Sequence, residues 1–389
     1  MTPRFPVILL AGAVVVLASC SEKKAVEPAP AAPAPAAAPE AAAPAADTAS
    51  IASVSGRSDP ECVGPLATGV AEKFTVAGKA LELNGYRLKL EAADADDTAV
   101  IGVIANANEA SPENLANLER YAKLFAENGV ELVVVAGDSG DDRENIEAVL
   151  RKIAGAGLPT VVISGNREPK AAFVDAVNAV RKDLPNLVNG NRVRRIDWDD
   201  VDLVTLPAYH DPRYIHAAEA GCQYFKEDVD ALAKLAAEAD HPVLVVAHGA
   251  PKGDTPDGLD AIAGEKPEER RNVGDPNLRT VLAEARIPFG IFPNIKEAGG
   301  RAFADVGGNK AVPQGQAVEN LYLNPGSADS LPWTMNDGTT ARGMAAVVTV
   351  KGNQASYRLF QAPAPNGAEK AAAQPEPAKP AEGETAANE

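Results

Sequence analysis

The period of the hydrophobic pattern changes repeatedly along the middle of the chain. In residues 79–91, KALELNGYRLKLE, every second position is apolar on each side of Asn84-Gly85, which predicts two antiparallel strands around a tight turn. Residues 98–106, TAVIGVIAN, are an apolar run suited to a central strand. Ser111 and Pro112 then provide a helix start, with Leu115, Leu118, Ala122 and Phe125 on one face and Gly129 as the stop. The strand–helix unit recurs as strand 131–136 with helix 143–155 and strand 159–164 with helix 170–182. Strand 201–206, helix 225–238, strand 242–247, helix 276–285 and strand 287–292 continue it. Such alternation predicts an α/β fold whose first strands are parallel and buried on both faces. Strands near 320–323, 344–350 and 355–360 have no helices between them, which predicts a second sheet or an antiparallel extension of the first.

Polar residues follow several of these strands: Asn106 and Asn108, Asp138, Asn166, His248, then Asn294 and Lys296. Singly, each reads as a turn residue. Because open α/β sheets bind ligands beyond the carboxyl ends of their strands, the set is expected to converge in one crevice. The stretch ELVVVAGDSGDD, residues 131–142, shows the pattern well: a buried strand runs into Gly137 and presents the carboxylate of Asp138 at its tip.

The ordered set of Gly137-Asp138, Gly165-Asn166, His248-Gly249 and NLYLNPGSA, residues 320–328, resembles the calcineurin-like metallophosphoesterase family over roughly residues 98–350. In that family the motifs run D-x-H, G-D, G-N-H followed by Asp or Glu, a lone His, G-H-x-H and often N-P-G-S. The resemblance implies a layered α/β/α, two-sheet fold, here with a small N-terminal β element. It also implies a two-metal site with a bridging Asp and a metal-activated water. By this correspondence the bridging residue is Asp138, the amide ligand Asn166 and the lone histidine His248. The remaining positions depart from the pattern. Asn106 and Asn108 stand where the family carries Asp and His, and Arg167 stands where it has its catalytic His. With EAGG, residues 297–300, aligned to the segment after G-H-x-H, Asn294 and Lys296 replace that motif's two histidines.

An Asn offers a neutral carbonyl oxygen and a Lys at neutral pH offers no lone pair, so the first metal is expected to be lost. A second could bind weakly on Asp138, Asn166 and His248, with Asn294 a poor fourth ligand; Zn, Mn or Fe is the candidate ion. No catalytic residue is assigned. A buried carboxylate needs a compensating charge. Asp138 therefore either pairs with the ammonium of Lys296 or faces water and caps its turn. Arg167 either forks onto an anion in the crevice or forms a surface pair with its neighbour Glu168. His210 and His216 lie in a long loop as weaker ligand candidates, and His241 reads as a helix end.

The ends of the chain have a different composition from the 46% hydrophobic whole. Residues 1–20 combine Arg4 with an apolar run, as a secretion signal does, and Leu17-Ala18-Ser19-Cys20 resembles the lipobox of bacterial lipoproteins, with Cys20 as the lipidated residue. Ser21 after it favours the outer membrane. Residues 21–60 form an Ala/Pro-rich tether and 362–389 an Ala/Pro/Glu tail, both expected to be disordered, on either side of a 61–361 domain. A net charge of −17 with no basic run in the globular part argues against nucleic acid. Membrane contact is then expected through the lipid, and an anionic small molecule or an envelope protein is the expected partner. Cys62 and Cys222 form either a disulfide or two separate buried thiols. Two functions follow: a non-catalytic binding protein of the cell envelope, or a metal-dependent phosphoesterase using the surviving ligands.

Overall fold

The computed structural model describes residues 58–92, 94–263 and 269–363. The signal segment, Cys20, most of the tether and nearly all of the tail lie outside the described residues.

The chain first forms β1 (Glu72–Val76), β2 (Lys79–Asn84) and β3 (Arg87–Leu90), an antiparallel meander. Gly85 turns β2 into β3 at φ 60°, a left-handed conformation that glycine adopts without steric cost. The alternating region follows as β4 (Thr98–Ile104), α1 (Pro112–Glu127), β5 (Leu132–Ala136), α2 (Arg143–Ala154), β6 (Thr160–Ile163), α3 (Lys170–Asp183) and β7 (Leu187–Asn189). Ser111 caps α1, its side chain accepting from the Asn114 amide. Next come β8 (Arg195–Asp197), β9 (Asp202–Leu206), α4 (Lys226–Ala237), β10 (Val243–Ala247), the short ribbon β11 (Ala261–Ile262) and β12 (Arg271–Asn272), then α5 (Pro276–Glu284). The last strands are β13 (Phe289–Ile291), β14 (Ala302–Phe303), β15 (Leu321–Leu323), the ribbon β16 (Trp333–Thr334) and β17 (Thr340–Ala341), β18 (Met344–Lys351) and β19 (Gln354–Gln361).

They build two main sheets. One has six strands in the order β19-β18-β4-β5-β6-β7, the four strands from β4 to β7 being parallel. The other has nine, in the order β1-β2-β3-β8-β9-β10-β13-β15-β14. The final strands therefore divide: β18 and β19 extend the first sheet antiparallel, while β15 joins the second, parallel to β13.

Side-chain alternation decides how the sheets stack. Leu132 and Val134 of β5 point into one core with Leu244 and Val246 of β10, so the sheets pack face to face. Val133 and Val135 point the other way, onto Leu118, Phe125, Ile146 and Val177 of α1, α2 and α3. Val243 and Val245 likewise meet Leu232 and Leu282 of α4 and α5. The layers run helix, sheet, sheet, helix: mixed α/β with two main sheets, and the strands' continuous apolar runs reflect burial on both faces.

Cys62 and Cys222 are bonded, Sγ to Sγ 2.01 Å, and both are buried beside Tyr224 and Val229. The bond ties the segment ahead of β1 to the loop between β9 and α4 across a separation of 160 residues. Cross-linking so distant a pair restricts the unfolded chain, so replacing both cysteines with Ala is expected to lower stability by about 2–5 kcal/mol. Urea unfolding of the two proteins measures this; a loss below about 1 kcal/mol would mean that the loop is held without the bond.

Candidate functional site

The segments leaving β4, β5, β6, β10, β13 and β15 meet at the carboxyl ends of the two sheets. Asn106 (φ 52°), Asn108 (φ 60°) and Asp138 (φ 58°) all sit in the left-handed region, which Asn and Asp tolerate better than most residues. The loops are stitched together by backbone: Asn106 N–H donates to the Gly137 carbonyl at 3.0 Å and Asn108 N–H to that of Asp138 at 2.9 Å. Gly137 has to be glycine, since a Cβ there would lie 2.5 Å from His248 Nδ1.

Asp138 is buried, and its Oδ1 accepts the backbone N–H groups of Asn166 and Arg167, each at 3.1 Å. His248, fully buried at the end of β10, places Nε2 3.3 Å from the same oxygen and 3.1 Å from Asn166 Oδ1. Asn166 is fixed in that orientation because its Nδ2 donates to the Tyr214 carbonyl at 2.7 Å. The other imidazole nitrogen, Nδ1, lies 2.9 Å from the Ala136 carbonyl, which only accepts, so Nδ1 carries a proton. Nε2 then faces two acceptor oxygens, and one positive charge must occupy their meeting point: a proton that makes His248 an imidazolium, or a metal ion. Burial alone would push Asp138 up, but the charge and hydrogen bond of His248, joined by the charges of Arg167 and Lys296, outweigh it and hold the carboxyl down at about 2. Burial pulls His248 down, but the charge and hydrogen bond of Asp138, the Ala136 carbonyl and the charge of Glu168 together give a net rise.

Glu168, which the sequence offers only as a surface partner of Arg167, lies beside this centre. It turns inward, accepting Ser139 N–H at 2.7 Å and Gly165 N–H at 2.9 Å. Burial and the nearby Asp138 push it up to about 7. Its inward turn removes the expected surface pair with Arg167. That guanidinium instead forks onto Asp141, with Nε to Oδ1 2.8 Å and Nη2 to Oδ2 2.5 Å.

The expected Asp138–Lys296 pair does not form. Lys296 Nζ lies 3.5 Å from Asp329 Oδ2 and 5.1 Å from the ring centre of Trp333, and it adds only a smaller pull on Asp138. The reason lies in the loop after β15. Ala328 N–H donates to the Ala105 carbonyl at 2.8 Å and Asp329 N–H to that of Asn106 at 3.0 Å, so the turn that begins Asn324-Pro325-Gly326-Ser327 closes onto the strand β4 exit and inserts Asp329. Asn108 Nδ2 donates to the same carboxylate oxygen at 2.6 Å, and Asn106 Nδ2 to the Pro293 carbonyl at 2.9 Å. Both asparagines thus use their amide nitrogens, while Oδ1 of each is buried without a hydrogen-bond partner among the described residues. Asn294 is half-buried, its N–H donating to the His248 carbonyl at 3.0 Å, with Tyr209 nearby.

The donor set accordingly splits in two. Asp138, Asn166 and His248 present convergent oxygen and nitrogen atoms that could hold one divalent ion. Asn106, Asn108 and Lys296 present amide and ammonium hydrogens to Asp329 and Pro293, and the neutral oxygens Asn106 Oδ1 and Asn108 Oδ1 are the unpaired acceptors on that side. His216 reaches the crevice rim, its N–H donating to the Asn166 carbonyl at 2.8 Å; His210 lies in an adjoining cavity and His241 is beside Asp202, ahead of β10. Two groupings of acids, Asp94 with Glu131 and Asp199, and Asp94 with Asp96 and Asp200, could also hold a divalent ion. Glu131 precedes β5 whereas Asp138 follows it, so these groups sit at the opposite end of that strand from the crevice.

No protein-family model matches the chain, and no curated protein matches it. Solved structures similar to it include TT1561 of Thermus thermophilus, at 13% identity and TM-score 0.42 over 65% of this chain and 99% of that one. A dimetal phosphatase from Danio rerio is similar at 10% identity and TM-score 0.41, over 68% of this chain and 99% of that one. Purple acid phosphatase PPD1 from yellow lupin seeds is similar at 11% identity and TM-score 0.40, over 72% of this chain and 54% of that one. At these identities and scores the likeness concerns the layout of the chain and carries nothing about its activity.

The pairing of Lys296 is measurable. Lys296→Met and Asp329→Asn are expected to show a coupling of about 1–3 kcal/mol in a double-mutant cycle by urea unfolding, against about 0.5 kcal/mol or less between Lys296→Met and Asp138→Asn. The reverse ranking would return Lys296 to Asp138.

Proposed function

We propose that this chain is a lipid-anchored protein of the bacterial envelope whose metallophosphoesterase-like crevice binds an anionic ligand or an envelope partner rather than hydrolysing a phosphoester. The observation that carries the reading is Asp329, which receives both the Asn108 amide and the Lys296 ammonium in the region of the family's first metal ligands. A hydrolytic two-metal centre uses anionic and imidazole donors there, whereas this position offers two neutral amide oxygens beside an ammonium. Arg167 and Lys296 supply cationic groups at the rim that a phosphate or carboxylate could compete for. The expected result is purified protein with well under one equivalent of Zn, Mn or Fe and no metal-stimulated hydrolysis of phosphomonoesters or phosphodiesters. A metal-dependent rate abolished by Asp138→Asn would overturn it.

A second reading rests on the convergence of Asp138 Oδ1, Asn166 Oδ1 and His248 Nε2 at 3.1–3.3 Å. In that reading one divalent ion replaces the proton on Nε2 and the protein is a single-metal phosphoesterase; stoichiometric metal with activity is its signature. The anchor belongs to both readings and rests on the lipobox resemblance at Cys20. Cys20→Ser is expected to move the protein from the detergent phase to the soluble fraction, or to leave it unprocessed, and unchanged partitioning would rule out Cys20 as the anchor.

A further inference from the structure

The loop between β9 and α4 does more than reach the crevice. Together with Lys252 and the residues leading into α5 it encloses a cavity of about 530 Å³, within the usual range of small-molecule sites. Its lining includes His210, Asp211, Arg213, Tyr214, Lys252 and Arg271. Three cationic side chains thus stand against one carboxylate, in a chain whose formal net charge is −17. Asp211 engages Arg213, and Lys252 Nζ donates to the Asn272 carbonyl at 3.0 Å.

One polar atom of the lining residues lacks a partner among the described residues: His210 Nδ1 is buried without a hydrogen bond, while behind it the Tyr224 hydroxyl faces the Asp275 carboxyl group. The His210 ring centre lies 4.7 Å from that of Tyr209 and 6.1 Å from that of Tyr224, and Tyr224 and Asp275 are both within 2% of complete burial. Buried polar groups are normally satisfied, and His210 is the exception in this wall. The cavity is also held in shape before any ligand arrives. Tyr224 N–H donates to the Tyr209 carbonyl at 3.0 Å, Tyr209 N–H to the Cys222 carbonyl at 3.3 Å, and the Cys62 disulfide clamps the same turn. Tyr214 borders both regions, since its carbonyl accepts from Asn166, but the cavity contains neither Asp138 nor His248.

We propose that this cavity is a second ligand site, distinct from the Asp138–His248 centre, for a small organic anion that carries a carboxylate or phosphate group on a planar ring. Lys252 and Arg271 at the exposed mouth attract and hold the anionic group. His210 and Tyr214 furnish the ring-bearing walls, and the imidazole supplies a hydrogen-bonding nitrogen.

The test is calorimetric titration of the full chain with benzoate and with phenylphosphonate, the two probes separating a carboxylate from a phosphate-like group. At least one is expected to bind saturably and more weakly as salt rises. Lys252→Glu combined with Arg271→Glu is expected to weaken it more than about tenfold, while the same charge reversal at two exposed lysines remote from both sites, Lys89→Glu with Lys123→Glu, changes it less than about twofold. Both mouth residues are exposed, and the thermal midpoint of the double variant verifies that it is folded. The proposal is overturned if neither probe saturates below about 10 mM, if the double variant binds as the parent does, or if Lys296→Met alone abolishes binding.

Discussion

A single carboxylate, buried where two sheets meet, organises the functional end of this protein. Asp138 leaves β5 of the six-stranded sheet, and its charge is met by backbone amides following β6 and by His248 at the end of β10 in the nine-stranded sheet. His248 returns its other nitrogen to the carbonyl of Ala136 at the end of β5, so one imidazole pins the carboxyl ends of both sheets together. Burying an unpaired carboxylate costs far more than any one of these contacts contributes, so the arrangement stands or falls as a unit. The surrounding glycines follow from the same closeness, with Gly137 leaving no room for a Cβ against His248.

Around that pin the acids and bases of the crevice are matched internally: Asp138 with His248, Asp141 with Arg167, and Asp329 with Lys296. In the binding function proposed above, protein cations and hydrogen-bond donors do the neutralising that a pair of divalent ions would do in a hydrolase. This has a chemical consequence. Metal ions polarise a phosphoryl oxygen and lower the pKa of a bound water, whereas an ammonium or a guanidinium already engaged by a carboxylate offers charge and hydrogen bonds to a ligand but no activated nucleophile. Glu168, held up at about 7 by burial and Asp138, adds a group whose proton can balance the remaining charge near neutrality.

The β9–α4 loop links this centre to the neighbouring cavity. Its Tyr214 carbonyl orients Asn166, its His216 amide binds the Asn166 carbonyl, and its Cys222 end is fastened to the chain ahead of β1. A loop that could otherwise move is thereby tied at both ends to rigid elements, which suits a surface that presents preset polar groups.

Much of the fold was legible in the sequence because burial on both faces writes itself as uninterrupted apolar runs. Residues 131–136 and 242–247 could hardly be anything but central strands, and the Ser111-Pro112 start of α1 and the Asn84-Gly85 turn carry their own local chemistry. The order of Asp138, Asn166 and His248 behind such strands also indicated that they would meet. Sequence could not assign their partners, because a charge chooses its neighbour by distance across loops that are far apart in the chain. Lys296 lies 33 residues from Asp329 and 158 from Asp138, and only the closure of the Asn324–Ser327 turn onto the exit of β4 decides between them. Arg167 shows the same limit: Glu168 is its neighbour in sequence, yet backbone amides draw that carboxylate inward and leave the guanidinium to Asp141. Local periodicity sets the elements and the polar residues at their ends, whereas the assembled fold sets which positive charge answers which negative one, because electrostatic pairing depends on separation in space and on the water that burial removes.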